Sequence, residues 1–394
     1  MIYRNITPYI KELAKKMPVI AITGPRQSGK TTLAKAIFSD YDYVTLENLN
    51  IRSLAQQDPQ GFLKQYDKGS GVILDEVQQV PELFSYLQGI VDEKPRPGFY
   101  ILIGSQHFLL SQSISQTLAG RISIFTLLPF SIVELENAKL LASDANEAMF
   151  TGFYPRIFEQ KLQPTEWYPG YIQIYIERDV RQITRVVDLS QFQTFIKLCA
   201  GRIGQLLNIS SLANDCGVSV ATARSWLSLL EASYIIYFLH PHYKNFSKRL
   251  IKSPKLYFYD TGVVCSLLGI ENVEQLMGHY LRGGLFESMV ITELMKESYN
   301  NNRRPQNFFW RDKSGHEVDC IIEKGQNLFP VEIKAGATAV PDYFESLEYW
   351  NDLAKADPSH SSVIYAGDKK YTYKDITLFG WRSIKNLFDK IFNK

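Results

Sequence analysis

One octapeptide constrains this chain more than any other feature. Gly24-Pro25-Arg26-Gln27-Ser28-Gly29-Lys30-Thr31 follows an apolar run at 18–23 and leads, through Thr32, into a helix-forming stretch that ends near residue 38. The spacing GxxxxGK[ST] between a strand and a helix is a cradle for phosphate. Its glycines let successive backbone N–H groups curl around phosphate oxygens. The helix behind the loop aims the positive end of its dipole at the same anion. On this reading ATP is held by residues 24–32, Lys30 reaches its β- and γ-phosphates, and the Thr31 hydroxyl takes a Mg²⁺ position.

Two further segments fit the same chemistry. Val72-Ile73-Leu74-Asp75-Glu76 is an apolar strand ending in two carboxylates, about 45 residues after the loop. Asp75 is expected to hold Mg²⁺ from a strand adjoining that of the loop, through water. Glu76 is expected to polarise the attacking water as general base. At the end of the next strand, 99–103, Ser105 or Gln106 stands where a polar group would touch the γ-phosphate, or is simply a polar strand cap.

The rest of the chain reads as separate units. Its 394 residues suggest two to four domains, and 45% hydrophobic against 21% charged is an ordinary globular composition. Strands are expected at 18–23, 43–46, 71–74, 99–103 and 122–127, alternating with helices, which predicts an α/β fold with a parallel sheet. Residues 131–189 lack clear strands and read as a helical lid or connector. Helices, a turn and two strands follow at 190–259. From about 283 a helix leads into strands at 308–311, 318–323 and 328–334, and then a helix-rich stretch. The expected units are 1–135, 136–189, 190–270 and 271–394. No run of 18 apolar residues occurs, so no membrane partner is expected. The N-terminus lacks the apolar core of a signal peptide. Cys199, Cys216, Cys265 and Cys320 are scattered rather than paired as CxxC, which fits a reducing cytoplasm and no zinc site.

The GPRQSGKTT loop, the ILDEVQ segment and the ILIGSQ strand resemble those of AAA+ ATPases. The likeness is to a prokaryotic group that joins the ATPase to a C-terminal domain of unknown function. It extends through Leu118-Ala119-Gly120-Arg121, Leu128-Pro129-Phe130-Ser131 and Glu134. The resemblance implies a helical lid on the ATPase. It also implies that Arg121, just before the fifth strand, is an arginine finger acting on a second copy of the chain. The alternative for Arg121 is a structural pairing with Glu134 or another carboxylate. Arg156 and the pair Arg178 and Asp179 are weaker candidates for sensing nucleotide; solvated helix charges are the default reading.

In 209–232 a helix, a turn at Gly217 and a second helix have helix-turn-helix spacing. Strands near 234–239 and 255–259 would complete a winged helix. Residues 190–259 hold eight Lys or Arg against two Asp or Glu, five of the positives being Lys244, Lys248, Arg249, Lys252 and Lys255. Positive charge favours phosphate contact by counterion release. The second helix carries only Arg224 for base reading, with Ser219, Thr222 and Ser225 suited to phosphate, so DNA contact is expected to be sequence-nonspecific. A winged helix used only for packing is the alternative.

The last constellation is acidic. Asp319 in Gly315-His316-Glu317-Val318-Asp319 precedes Val331-Glu332-Ile333-Lys334 by thirteen residues, counting to Glu332. Strand alternation sends Glu332 and Lys334 to one face. Two carboxylates can hold Mg²⁺ while a lysine orients water against a phosphodiester. Glu287, on the helix before, adds a third carboxylate. The set resembles the restriction-endonuclease-like fold of PD-(D/E)xK nucleases, with Val318 where the pattern has proline. The resemblance implies that Glu287, Asp319 and Glu332 bind metal and that Lys334 assists catalysis. Phe309-Trp310-Arg311 is read as core aromatics with a surface arginine. Two functions remain: an ATPase coupled to DNA binding or processing, or an ATP-dependent switch or scaffold acting on a protein partner through an inert nuclease-like module.

Overall fold

The computed structural model describes residues 2–105, 117–176, 189–242 and 252–392. Gln106, Arg178, Asp179, Lys244, Lys248 and Arg249 lie outside the described residues. The chain forms two compact units: Met1–Phe130 with Ala232–Tyr234 and Tyr299–Arg303, and Ser131–Glu231 with Ile235–Ser298 and Arg304–Lys394.

The first unit is built on a parallel sheet of β1 (Val19–Thr23), β2 (Asp42–Thr45), β3 (Val72–Asp75), β4 (Tyr100–Gly104) and β5 (Ile122–Thr126), in the order β2-β3-β4-β1-β5. Both faces are covered, which is why β1, β3 and β4 read as unbroken apolar runs. Side-chain alternation splits them between two cores. Val19, Ala21, Leu74 and Leu102 join Phe62, Val77, Phe84 and Leu87 on one side. Ile20, Ile22, Ile73, Ile101 and Ile103 join Ile10 and Leu33 on the other. At about 1.5–3 kcal/mol for each buried Ile, Leu or Phe, these layers hold the strand ends in place. The order corrects one expectation. β3 does not adjoin β1, because β4 lies between them. Asp75 therefore reaches the loop from two strands away.

In the second unit, the described residues of the first stretch form helices Ile132–Asn137, Ala145–Thr151, Pro155–Gln160 and Pro164–Tyr171 and no strand, as the sequence implies. Pro164–Tyr171 packs on the helix Thr261–Leu267. Buried Asp260 joins these parts, accepting from Phe153 N at 2.8 Å, Tyr168 Oη at 2.7 Å and Val263 N at 3.1 Å. Next come helices Leu189–Ala200, Ile209–Cys216 and Val220–Ala232, and an antiparallel pair, β6 (Ile236–Leu239) and β7 (Lys255–Phe258). Gly217, with φ of 71°, ends the middle helix in the left-handed conformation that glycine adopts without strain.

Helix Arg282–Asn300 leads to a six-stranded sheet: β8 (Asn307–Arg311), β9 (Glu317–Lys324), β10 (Asn327–Lys334), β11 (Ser362–Tyr365), β12 (Tyr371–Tyr373) and β13 (Ile376–Gly380). The order is β12-β13-β11-β10-β9-β8. β8, β9 and β10 run antiparallel, β10, β11 and β13 parallel, and helix Glu345–Ala354 joins β10 to β11. The stretch after Lys334 has the expected helices, Glu345–Ala354 and Ile384–Phe392, but also β11, β12 and β13, which the sequence does not announce. β11 and β13 are short, buried and apolar without alternation, and such runs do not separate strand from helix by period. Among the described residues no helix is long and apolar enough to cross a membrane. The four cysteines are free and buried.

Candidate functional site

Because β1, β3 and β4 are parallel and nearly in register, their C-terminal ends share one edge of the sheet. The 24–31 loop leaves β1 there, Asp75 ends β3, and Ser105 follows β4. Gly24 has φ of 141°, and a Cβ at this position would stand 2.1 Å from Leu127 O. Gln27 and Gly29 also take positive φ, 62° and 93°, curling the loop before helix Lys30–Ile37 begins. Lys30 is buried, with Nζ donating to Gly24 O at 2.9 Å and Pro25 O at 2.6 Å. Thr32, one residue beyond Thr31, is exposed on the helix.

Thr31 Oγ1 donates to Asp75 Oδ2 at 2.7 Å, so the two expected magnesium residues touch. These hard oxygens at the helix start fit Mg²⁺. Burial raises the Asp75 pKa, opposed by the Thr31 and Tyr43 hydroxyls and by Lys30. Glu76 N donates to Asp75 Oδ1 at 3.0 Å. Glu76 has φ of 56° and ψ of 42°, a left-handed conformation uncommon outside glycine. The turn carries its carboxylate to Ser105, whose Oγ donates to Oε2 at 3.1 Å, and to the Gln78 amide. Arg26 Nη1 lies 3.7 Å from Glu76 and 3.3 Å from Glu47.

Sequence reading missed three residues here. Buried Arg4 donates from Nη1 to Ser28 O at 2.8 Å and from Nη2 to Leu128 O at 2.5 Å, pinning the loop from an N-terminal segment with no motif. Tyr43 Oη donates to Asp75 Oδ2 at 2.9 Å. Tyr234, expected to begin a strand, belongs to this unit and its hydroxyl lies 3.0 Å from Thr23 Oγ1. Spacing from the glycine loop flags none of them.

Arg121 stands apart. It precedes β5 at the opposite edge of the sheet, and its backbone oxygen accepts from Val19 N. A five-residue strand separates that edge from the loop, about 16 Å at roughly 3.3 Å per residue. Its guanidinium pairs with Asp92, Nη2 to Oδ2 at 2.9 Å. Glu134, the other partner considered, caps its own helix by accepting from Ser131 N at 3.0 Å. Arg156 is exposed.

The acidic residues of the second unit come together from three segments, helix Arg282–Asn300, β9 and β10. Carboxylate oxygens of Glu287, Glu317 and Asp319 lie within 4.8 Å of one another. Asp319 Oδ2 accepts from Ile333 N at 2.8 Å, extending the β9–β10 ladder with a side chain. Lys334 Nζ donates to Glu332 Oε1 at 2.6 Å, as their shared face requires. Glu332 is buried, and its Oε2 has no hydrogen-bond partner. Burial first, and then the charge of Asp319 beside them, push Glu287 up to about 7 and Glu332 up to about 8, against the pull of Lys255 and Lys334. Glu317, unassigned in the sequence, completes the group.

Lys255 requires a correction. The charge count assigns it to a basic wing, but it is 3% exposed. Its Nζ donates to Glu287 Oε1 at 2.8 Å and pairs more closely with Glu317. Tyr257, two residues along β7, donates its hydroxyl to the same Glu287 oxygen. Lys252 is exposed. Phe309 and Trp310 are buried, and Arg311 is a surface residue paired with Glu317 at 3.0 Å, as read from the sequence. Ser219, Arg224 and Ser225 are exposed; Ser219 Oγ caps its helix by accepting from Thr222 N at 3.0 Å.

Three family models match consecutive stretches of the chain. Residues 16–136 match an AAA domain, 142–274 a domain of unknown function (DUF8612) and 282–384 a domain of unknown function (DUF4143). The first unit is an AAA-like P-loop ATPase domain. Uncharacterized proteins Mb2031c of Mycobacterium bovis and Rv2008c of Mycobacterium tuberculosis are each 27% identical over 376 residues, covering 94% of this chain and 82% of theirs. Among solved structures, the Walker-type ATPase PABY2304 of Pyrococcus abyssi aligns with a TM-score of 0.46 and 16% identity, over 68% of this chain and 96% of its own. The RuvB Holliday junction branch migration motor of Thermotoga maritima aligns with a TM-score of 0.32 and 18% identity, over 59% and 88%. The AAA-like domain thus joins a C-terminal region of DUF4143 type, built on the mixed six-stranded sheet.

Proposed function

We propose that the protein hydrolyses ATP with Mg²⁺ and couples turnover to binding or processing of DNA at the acidic site of its second unit. The contact between Thr31 and Asp75, with Glu76 turned toward Ser105, carries the first half of this reading. Residues 24–32 wrap the triphosphate, and Lys30 exchanges its loop carbonyls for phosphate oxygens. Thr31 and Asp75 hold Mg²⁺, which supplies charge neutralisation at the phosphates. Glu76 takes the proton of the attacking water, and Ser105 orients the Glu76 carboxylate. Arg121 faces away from its own loop, so any action on nucleotide is on that of a second copy. Light scattering with a non-hydrolysable ATP analogue tests this, and a monomer under all conditions returns Arg121 to its pairing with Asp92.

The unpartnered buried oxygen of Glu332 supports the second half. Buried carboxylates collect where a cation neutralises them. Glu287, Asp319, Glu332 and the newly found Glu317 offer the donors, and Lys334 stands ready to orient water. The antiparallel β8–β10 and the parallel β10–β11 crossover suit a restriction-endonuclease-like fold. The three helices with β6 and β7 suit a winged helix, with Arg224, Ser225 and Lys252 on its surface for backbone contact.

A specific observation favours the second reading, an ATP-dependent switch acting on a protein partner. Lys255 is spent inside the acidic group, which weakens the basic surface and neutralises the carboxylates. Two assays separate the readings. ATP turnover is measured with and without DNA, and no change in rate or nucleotide affinity defeats the DNA reading. Mn²⁺-dependent cleavage is compared between the wild type and Glu332→Ala, and equal signals show an inert site.

A further inference from the structure

The acidic group is already served by a cation from the chain itself. Lys255 opens β7, and its backbone is held on both sides, paired with Leu239 of β6 and bridged to Leu206. Gly204 N also donates to Leu256 O at 2.8 Å, and Leu207 N to Pro254 O at 2.8 Å. The strand start is therefore fixed, and only the side chain has freedom to leave. Its ammonium contacts two of the three carboxylates that stand within 4.8 Å of one another. Gly204 packs closely against Glu287, since a Cβ there would stand 3.3 Å from its Oε2. Three ammonium protons suit such a cage, and so do the oxygens that a hard divalent cation takes. The two cations compete for it, because both draw on the Glu287 and Glu317 carboxylates and repel each other.

We propose that Lys255 is a tethered counter-cation that occupies the divalent-cation position of the acidic site and must swing out before a metal ion enters. The inference rests on reading Glu287, Glu317, Asp319 and Glu332 as a cation site. It makes Lys255 a positioning residue whose displacement sets when that site is loaded. It also places control of the DUF4143-type region on β7, a strand of the preceding segment. With its ammonium in place the wild-type cage then stays folded without metal, and divalent cations bind it weakly.

The test uses the full chain without nucleotide and Mn²⁺ alone. Lys255→Met and Lys255→Gln both remove the ammonium, and Lys255→Gln keeps a hydrogen-bond donor. Titration calorimetry is expected to show Mn²⁺ binding at least about tenfold tighter in both than in the wild type, the gain being lost when Asp319→Asn is added. In EDTA both variants melt below the wild type, and Mn²⁺ restores them while barely moving the wild type. Equal, Asp319-dependent affinity in wild type and variants overturns the role of Lys255 but keeps the cation site. No Asp319-dependent uptake in any of them overturns the cation site itself. Variants that stay unfolded even in Mn²⁺ also overturn the proposal, since a metal ion would then be unable to take the place of the ammonium.

Discussion

Two lysines mark the two sites, and their settings are opposite. Lys30 rests on the carbonyls of its own loop, 2.6 and 2.9 Å away, which are neutral and weakly held partners. Lys255, itself buried, is gripped by two partly buried carboxylates. A charge on neutral carbonyls is ready to be handed to an anion, because a phosphate oxygen is a stronger partner. A charge on buried carboxylates is retained, because its departure leaves them uncompensated. The difference teaches that a lysine beside carboxylates does not by itself make a working metal-dependent centre. The first site is poised to receive a phosphate, and in the second an ammonium of the chain already meets the carboxylates.

The comparison can be broken most directly at the first site. Lys30→Ala is expected to reduce phosphate release to background, and normal turnover would mean that this ammonium is not the one handed to nucleotide. Next in size, Glu76→Gln should bind ATP in equilibrium dialysis yet hydrolyse it about 10²–10⁴-fold more slowly. Unchanged rate would remove Glu76 from the reaction.

pH sharpens the contrast. Glu287 and Glu332, at about 7 and about 8 in the folded chain, lie above the ordinary value of 4.5. The folded state therefore holds protons that the unfolded state has released. Their contribution is fully present below about pH 4.5 and is lost as pH rises through about 7 and then about 8. Melting of the second unit should fall across that range, and Glu332→Gln should flatten the fall. A melting profile independent of pH would show that neither carboxyl holds a proton in the folded chain.

Smaller effects test the supports of the first site. Arg4→Gln strips donors from Ser28 O and Leu128 O and should cost roughly 2 kcal/mol of stability by denaturant titration. An unchanged midpoint would show that the loop holds itself. Tyr43→Phe removes one hydrogen bond to Asp75 and should raise the Mg²⁺ concentration for half-maximal turnover about fivefold, near 1 kcal/mol. No shift would mean that the Tyr43 hydroxyl leaves Asp75 when magnesium binds.

The strands of the first sheet were legible to within a residue or two, since apolar runs between turn residues are local patterns. So was the gathering of Lys30, Thr31 and Asp75 at one end of that sheet, since each stands at a fixed spacing from a strand end. Sheet order was not, and Asp75 was expected one strand too near. β11 and β13 escaped because a short buried run has no diagnostic period. Arg4 and Tyr43 escaped because a contact across the fold leaves no spacing to read.

By itself the sequence determined the phosphate cradle, because a loop of eight consecutive residues closes with almost no chain entropy and takes its shape from its own glycines. Tertiary structure alone added Glu317 and Lys255 to the acidic site. It drew Lys255 out of an apparent basic wing and set it beside Glu287, Glu317 and Asp319. Residues that far apart along the chain meet only when the packing of whole strands and helices repays the entropy of bringing them together.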